Sequence, residues 1–182
     1  MEERRNGQFI INSSVQKYKN PCIEVTEDQV IRPDGKPGIF GIVRMKDGVS
    51  VLPLDEDGYV YMTEEFHYAI GMECIETVSG AIDGNEEPME AAKRELKEEL
   101  GIEAEEWIDL GVVNPFTTAI KSSAKIFLAR KLKFGKDDQE ATENIKLVKI
   151  KLEEVVKMVM DSVITHGPSC VLILKANKYL KS

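Results

Sequence analysis

Between Pro88 and Gly101 the apolar residues Met89, Ala92, Leu96 and Leu100 recur at three- and four-residue intervals, the spacing of one helix face. Proline fits a first helical position and glycine a C-terminal stop, so both ends of this helix are marked. It interrupts a chain that otherwise reads mostly as strands. Residues 22–31 alternate and are rich in β-branched side chains, Pro33-Asp34-Gly35 turns the chain, and a second strand is expected over 39–45. Lys46-Asp47-Gly48 carries an Asp-Gly hairpin signal into a strand at 49–54, and Asp55-Glu56-Asp57-Gly58 leads into another at 59–66. Together they predict a meander of short antiparallel strands. An apolar stretch at 74–78 precedes the helix, and strands resume at 108–113, 126–132 and 145–150. Two amphipathic helices, 152–165 and 169–180, are separated by Gly167-Pro168. The expected class is α+β, with mixed sheet around one unusually acidic helix.

The 182 residues suit one domain with a small appendage, and 42% hydrophobic against 31% charged residues can bury a core, which argues against disorder. The longest apolar run, residues 170–174, is far short of the ~20 residues a membrane span needs. Met1-Glu2-Glu3-Arg4-Arg5 is followed by polar residues, not by an apolar stretch of signal-peptide length, so a cytoplasmic location without a membrane partner is expected. Cys22, Cys74 and Cys170 are odd in number and form no C-x-x-C, which argues against both a disulfide framework and a zinc site. With 24 Lys+Arg against 32 Asp+Glu the net charge is −8, which disfavours nucleic acid as a partner. A polyanionic ligand would need cations as intermediaries.

The acidic helix supplies the means. Along Arg94-Glu95-Leu96-Lys97-Glu98-Glu99, three carboxylates stand at i, i+3 and i+4 on one face. Like charges at that spacing destabilise a helix unless something compensates, and Glu99 lies at the edge of the buried stripe beside Leu96. A solvated acidic face is the common reading of such a helix. A hard divalent cation is the alternative, since Mg²⁺ takes carboxylate oxygens together with substrate phosphates. Arg94, four residues before Glu98, is spaced to orient a carboxylate.

Upstream, Gly80, Ala81, Gly84 and Glu86 form a glycine-bearing turn into this helix. Gly80, five residues, Glu86, seven residues, then Arg94-Glu95-Leu96-x-Glu98-Glu99-x-Gly101-Ile102 matches the Nudix box at every position. The chain therefore resembles the Nudix hydrolases. The resemblance implies an α/β/α sandwich around a mixed β-sheet, and metal-dependent cleavage of a nucleoside diphosphate linked to another moiety, with Mg²⁺ or Mn²⁺. It makes Glu95 and Glu99 the main metal ligands and Glu98 a further ligand or metal-water contact. It also implies a backbone carbonyl from Gly80 or Ala81, support from Glu86, and Arg94 as the orienting residue, with Glu98, Glu99 and Arg94 in the catalytic set.

Outside the box, Asn20-Pro21, residues 30–35, Val51-Leu52-Pro53, Glu76, Leu110-Gly111, Pro115 and Phe127-Leu128-Ala129 resemble the ADP-ribose and nucleotide-sugar pyrophosphatase branch. That likeness implies a homodimer formed through an N-terminal antiparallel β extension, residues 1–48, ahead of a Nudix domain at 49–182. It implies a catalytic base in the acidic loop 135–143, Glu143 or else Glu140. It places Glu76, His67, Pro115 and Phe116 near the substrate, a small-molecule nucleoside diphosphate. Departures fall at the same places: Glu65-Phe66-His67 stands where the branch commonly has Gln-x-Arg, and Phe116-Thr117-Thr118 where a glycine often follows the proline. ADP-ribose is thus the default substrate. Nucleoside triphosphates, dinucleoside polyphosphates, or a non-catalytic nucleotide-sensing role are the alternatives. Neither His67 nor His166 sits in a metal-spacing motif, so both read as structural, and Trp107 and Phe116 could stack a base or simply pack.

Overall fold

Strand pairing, more than chain order, sorts the elements in this computed structural model, which describes residues 4–135 and 145–182. In sequence they are β1 (Arg5–Asn6), β2 (Phe9–Lys19), β3 (Ile23–Ile31), β4 (Pro37–Met45), β5 (Gly48–Pro53), β6 (Tyr59–His67), β7 (Met72–Glu76) and β8 (Val78–Ala81). There follow α1 (Pro88–Leu100), β9 (Ile102–Val113), β10 (Ile120–Lys121), β11 (Ala124–Phe134), β12 (Lys146–Lys151), α2 (Leu152–Met160) and α3 (Gly167–Tyr179). The chain separates into two units, Met1–Lys46 with Asn114–Ser122, and Asp47–Val113 with Ser123–Ser182.

The first unit is a sheet in the order β1-β2-β3-β4-β10, antiparallel except where β10 runs parallel to β4. Asn20 closes the β2–β3 turn by accepting the N–H groups of Cys22 and Ile23 at 2.9 and 2.7 Å, as Asx turns do. Phe9 meets Phe40 edge-on with centroids 5.1 Å apart, and Val30 and Asp28 are buried. The length of β2 has no counterpart in the sequence reading. Most of it is exposed and polar side chains occupy both its faces, so no period-two pattern announces it.

The second unit has a sheet in the order β8-β5-β11-β9, with β5 parallel to β11, and a smaller one in the order β12-β6-β7. Side chains alternate along the central strands, and each face has its own helix layer. Val49 and Val51 of β5, Tyr61 of β6 and Phe127 and Ala129 of β11 pack with Ala91, Ala92, Leu96 and Leu100 of α1. Leu52, Val60, Met62, Ile126 and Leu128 point the other way and pack with Leu152, Val155, Leu172, Ile173 and Ala176 of α2 and α3. This is an α/β/α arrangement in the α+β class, as expected. Helix α1 begins at Pro88 and ends at Gly101, whose φ of 63° is left-handed and whose N–H bonds the carbonyls of Leu96 and Lys97.

Two local expectations fail. No hairpin forms at Asp47-Gly48, because β4 pairs with β3 and β10 whereas β5 pairs with β8 and β11. Asp47 instead accepts the N–H and hydroxyl of Ser123 at 2.7 and 2.8 Å. Gly48 is small for a different reason, since a Cβ there would stand 2.9 Å from the carbonyl oxygen of Gly80. Helix α2 stops at Met160 short of residue 165, where Ser162 turns to φ 59° and the N–H groups of Val163 and Ile164 fold back onto the Met158 carbonyl. Among the described residues no helix is long and apolar enough to cross a membrane.

Candidate active site

The packing that seats α1 also aims its acidic face. With Ala92, Leu96 and Leu100 buried against the sheet, Glu99 is carried inside with them and is 7% exposed. Glu95 and Glu98, on the same side of the helix, are met by one guanidinium. Arg94 Nη1 donates to Glu95 Oε1 at 2.7 Å and to Glu98 Oε2 at 2.9 Å. Its Nε and Nη2 form a fork onto the two oxygens of Glu86, both at 3.1 Å, and Nη2 also donates to the carbonyl of Ala81 at 3.0 Å. The hydrogen bonds from Arg94 hold the Glu86 carboxyl below the usual range. The same bonds, accepted by Glu86, Glu95 and Glu98, drive the guanidinium pKa further above its already high value.

Strand β8 brings Gly80 to the same place. A Cβ on Gly80 would overlap the Glu95 carboxylate, so that carboxylate lies directly against the backbone of β8. The structure thus brings Gly80, Ala81, Glu86, Arg94, Glu95, Glu98 and Glu99 together. A depression of about 520 Å³ adjoins them, lined by Glu86, Arg94, Lys93, Lys97 and Trp107 among others. Trp107 is partly committed to packing, since its indole N–H donates to the Ala104 carbonyl at 3.0 Å and its ring meets Phe127 edge-on.

Pro115 and Phe116 are exposed in the β9–β10 loop and belong to the first unit. Glu140 and Glu143 lie outside the described residues. His67 and Glu76 are brought together, with His67 Nε2 at 3.1 Å from Glu76 Oε1. The second oxygen of Glu76 is taken by His166 Nδ1, also at 3.1 Å. Burial raises the Glu76 carboxyl pKa against the opposing pull of His67. Burial, with the nearby His67, pushes His166 down to about 4, so at neutral pH its contact with Glu76 is a hydrogen bond and not an ion pair. His166 Nδ1 also lies 2.8 Å from Ser169 Oγ, which in turn receives the Thr77 N–H at 3.0 Å. The involvement of His166 and Ser169 was not foreseen, and no local signal could have found it, because Thr77 and Ser169 are 92 positions apart.

An α/β/α core whose acidic helix follows a glycine-bearing strand is the arrangement expected of the Nudix hydrolases. The NUDIX domain model matches residues 44–157, more than half the chain, and the chain belongs to the Nudix family, a class of pyrophosphohydrolases. Within that family it is similar to the ADP-ribose pyrophosphatase of Bacillus subtilis (strain 168), at 25% identity over 146 residues, 79% of either chain. It is 28% identical over 95 residues, 51% of either chain, to the methanol dehydrogenase activator of Bacillus methanolicus. The ADP-ribose pyrophosphatase of Mycobacterium tuberculosis (strain ATCC 25618 / H37Rv) is 27% identical over 125 residues, 66% of this chain and 59% of that one. A crystal structure of an ADP compounds hydrolase matches in fold with a TM-score of 0.83 at 19% identity, covering 94% of this chain and 93% of the other.

Proposed function

We propose that this chain hydrolyses the pyrophosphate bond of a nucleoside diphosphate derivative, ADP-ribose or a related nucleotide sugar, to a nucleoside monophosphate and a sugar phosphate, using Mg²⁺ or Mn²⁺. One observation carries the reading: Arg94 gathers Glu86, Glu95 and Glu98 beside buried Glu99. Three carboxylates on one guanidinium leave a formal charge of −2, before Glu99 on the same helix is counted. That all-oxygen donor set fits a hard cation. Glu95, Glu98, Glu99 and the carbonyl of Gly80 or Ala81 would hold it, with Glu86 acting through Arg94. When bound, the cation supplies charge withdrawal from the phosphoryl oxygens.

The chain's own groups do the rest. Arg94 is a positioning residue that fixes the carboxylates before substrate arrives. Glu98, with 44% of its side chain exposed, can take a proton from water, and Glu143 or Glu140 is the alternative base. Support for ADP-ribose over other diphosphates comes from the two ADP-ribose pyrophosphatases among the relatives. Pro115 and Phe116, both exposed, are proposed to face the nucleotide and sugar.

We also propose a cytoplasmic homodimer formed through the first unit. The register pairs Val15 with Glu27, Tyr18 with Val25, Ile39 with Gln29 and Met45 with Ile23, which puts four exposed apolar side chains on one face of that sheet. Light scattering that returned a monomer mass would contradict it.

The function is tested by a Mg²⁺-supplemented panel of ADP-ribose, other nucleotide sugars, dinucleotides and triphosphates, followed by product analysis. Glu98→Gln and Glu99→Gln are each expected to lose about 10²-fold or more on the best substrate. Full activity in either variant would sink the mechanism, and pyrophosphate release from triphosphates as the best reaction would replace the substrate class.

A further inference from the structure

The β6–β7 hairpin carries a second group of ligating atoms, separate from the carboxylates of α1. Its register pairs Thr63 with Glu76, Glu65 with Cys74 and His67 with Met72. Directly paired residues share a face, so His67, Cys74 and Glu76 project on the same side of the hairpin. His67 Nε2, Cys74 Sγ and a Glu76 carboxylate oxygen all lie within 4.8 Å of one another. Spacing along the chain argued against a zinc site, but it is the hairpin that collects these donors. From this geometry we infer a transition-metal site, ligated by His67 Nε2, Cys74 Sγ and Glu76, that takes Zn²⁺ or a similar borderline divalent ion.

Donor chemistry separates it from the carboxylates of α1. Nitrogen, sulfur and one carboxylate oxygen select zinc-like ions, whereas an all-oxygen set selects Mg²⁺ or Mn²⁺. Bonds of about 2.0 Å to nitrogen and oxygen and about 2.3 Å to sulfur put tetrahedral ligand atoms roughly 3.3–3.7 Å apart. His67 Nε2 and Glu76 Oε1 already stand 3.1 Å apart, so a small opening of that contact admits the ion. His67 is one-third exposed, which leaves an entry path and a fourth position for water.

The surroundings suit a cation. Glu76 is 9% exposed, and each of its oxygens faces an imidazole, His67 on one side and His166 on the other. Outer support is in place as well, because His166 holds the second Glu76 oxygen and is itself held by Ser169 and, through it, by Thr77. On binding, the metal forms bonds to Sγ, Nε2 and the carboxylate. The thiol proton passes to solvent, and the proton that His67 Nε2 directs at Glu76 is released to solvent or moved to Nδ1, which frees the Nε2 lone pair for the metal.

Cobalt(II) is the probe, added to the intact chain in excess Mg²⁺ so that the α1 carboxylates are occupied. One equivalent should give tetrahedral visible bands and a thiolate-to-cobalt charge-transfer band, both bleached by one equivalent of Zn²⁺. Cys74→Ser should abolish the charge-transfer band with unchanged circular dichroism, while Cys22→Ser and Cys170→Ser keep it. His67→Gln should weaken Zn²⁺ binding, measured against a chromophoric chelator, by about tenfold or more. No charge-transfer band, or one that survives Cys74→Ser, overturns the site. Should Cys74→Ser not fold, unchanged Zn²⁺ affinity in His67→Gln overturns it equally. None of these results depends on whether ADP-ribose is the substrate.

Discussion

Replacing Arg94 by glutamine removes a cation that meets Glu86, Glu95 and Glu98 together, and its cost can be worked from exposure. The contact with Glu95 matters most, since that carboxylate is 13% exposed and bonded at 2.7 Å. A hydrogen bond to a charged partner contributes about 1.5–3 kcal/mol when buried, and partial exposure of the guanidinium lowers this to about 1–2 kcal/mol. The contacts with Glu86 and Glu98 are more open and add little. Repulsion among Glu95, Glu98 and Glu99, no longer compensated, adds a few tenths of a kcal/mol. Arg94→Gln should therefore lose about 1–2 kcal/mol in urea unfolding without divalent ions. Mg²⁺ bound at the proposed site would neutralise the same carboxylates in the folded state, so the deficit should shrink at saturating Mg²⁺. Activity should not recover with it: kcat/KM on ADP-ribose should stay about 10²-fold down, the cost of untethered catalytic groups. A deficit equal with and without Mg²⁺, or a wild-type kcat/KM, would refute the claim that Arg94 organises this cluster.

Gly80→Ala forces the Glu95 carboxylate away from β8, because the added Cβ overlaps it. Turnover should fall at least tenfold, roughly, with the circular dichroism spectrum retained, and full turnover would show that Glu95 need not lie there. Leu96→Ala empties a fully buried position between α1 and the sheet and should cost about 2–5 kcal/mol by urea unfolding. Burial raises the Asp55 carboxyl pKa, but the Tyr59 N–H, the Tyr61 hydroxyl and Lys149 more than offset this and hold it below the usual range. A lowered folded pKa gives stability that is present above the unfolded value of about 3.9 and is lost as pH falls through the folded one. Asp55→Asn should accordingly destabilise the chain at neutral pH and hardly at all in strong acid, as thermal melts across that range would show.

What could be read from the string follows from how far apart the interacting residues are. Helix α1 was legible to both its ends, because a proline start, a glycine stop and a 3.6-residue stripe are local signals. The same helix carries Arg94, Glu95, Glu98 and Glu99, so knowing its buried face fixes where its acidic face points. Asp47-Gly48 misled for the opposite reason: a dipeptide that usually serves a turn serves here to cap Ser123 and to let Gly80 approach, and neither partner is nearby in sequence. Glu76 shows the same limit in a chemically richer form. Its family resemblance points toward substrate, and both of its oxygens are met by imidazoles, from His67 and from His166, a residue far along the chain. The register that sets Cys74 on the same face as these donors depends on which residues of β6 and β7 pair, and a shift by one residue would turn Cys74 away. Composition and spacing carry no trace of that register. The two clusters therefore differ in how they were found but obey one rule, that a buried carboxylate must be met by hydrogen-bond donors or positive charge: Arg94 meets Glu95 on α1, and the imidazoles of His67 and His166 meet Glu76 on the hairpin.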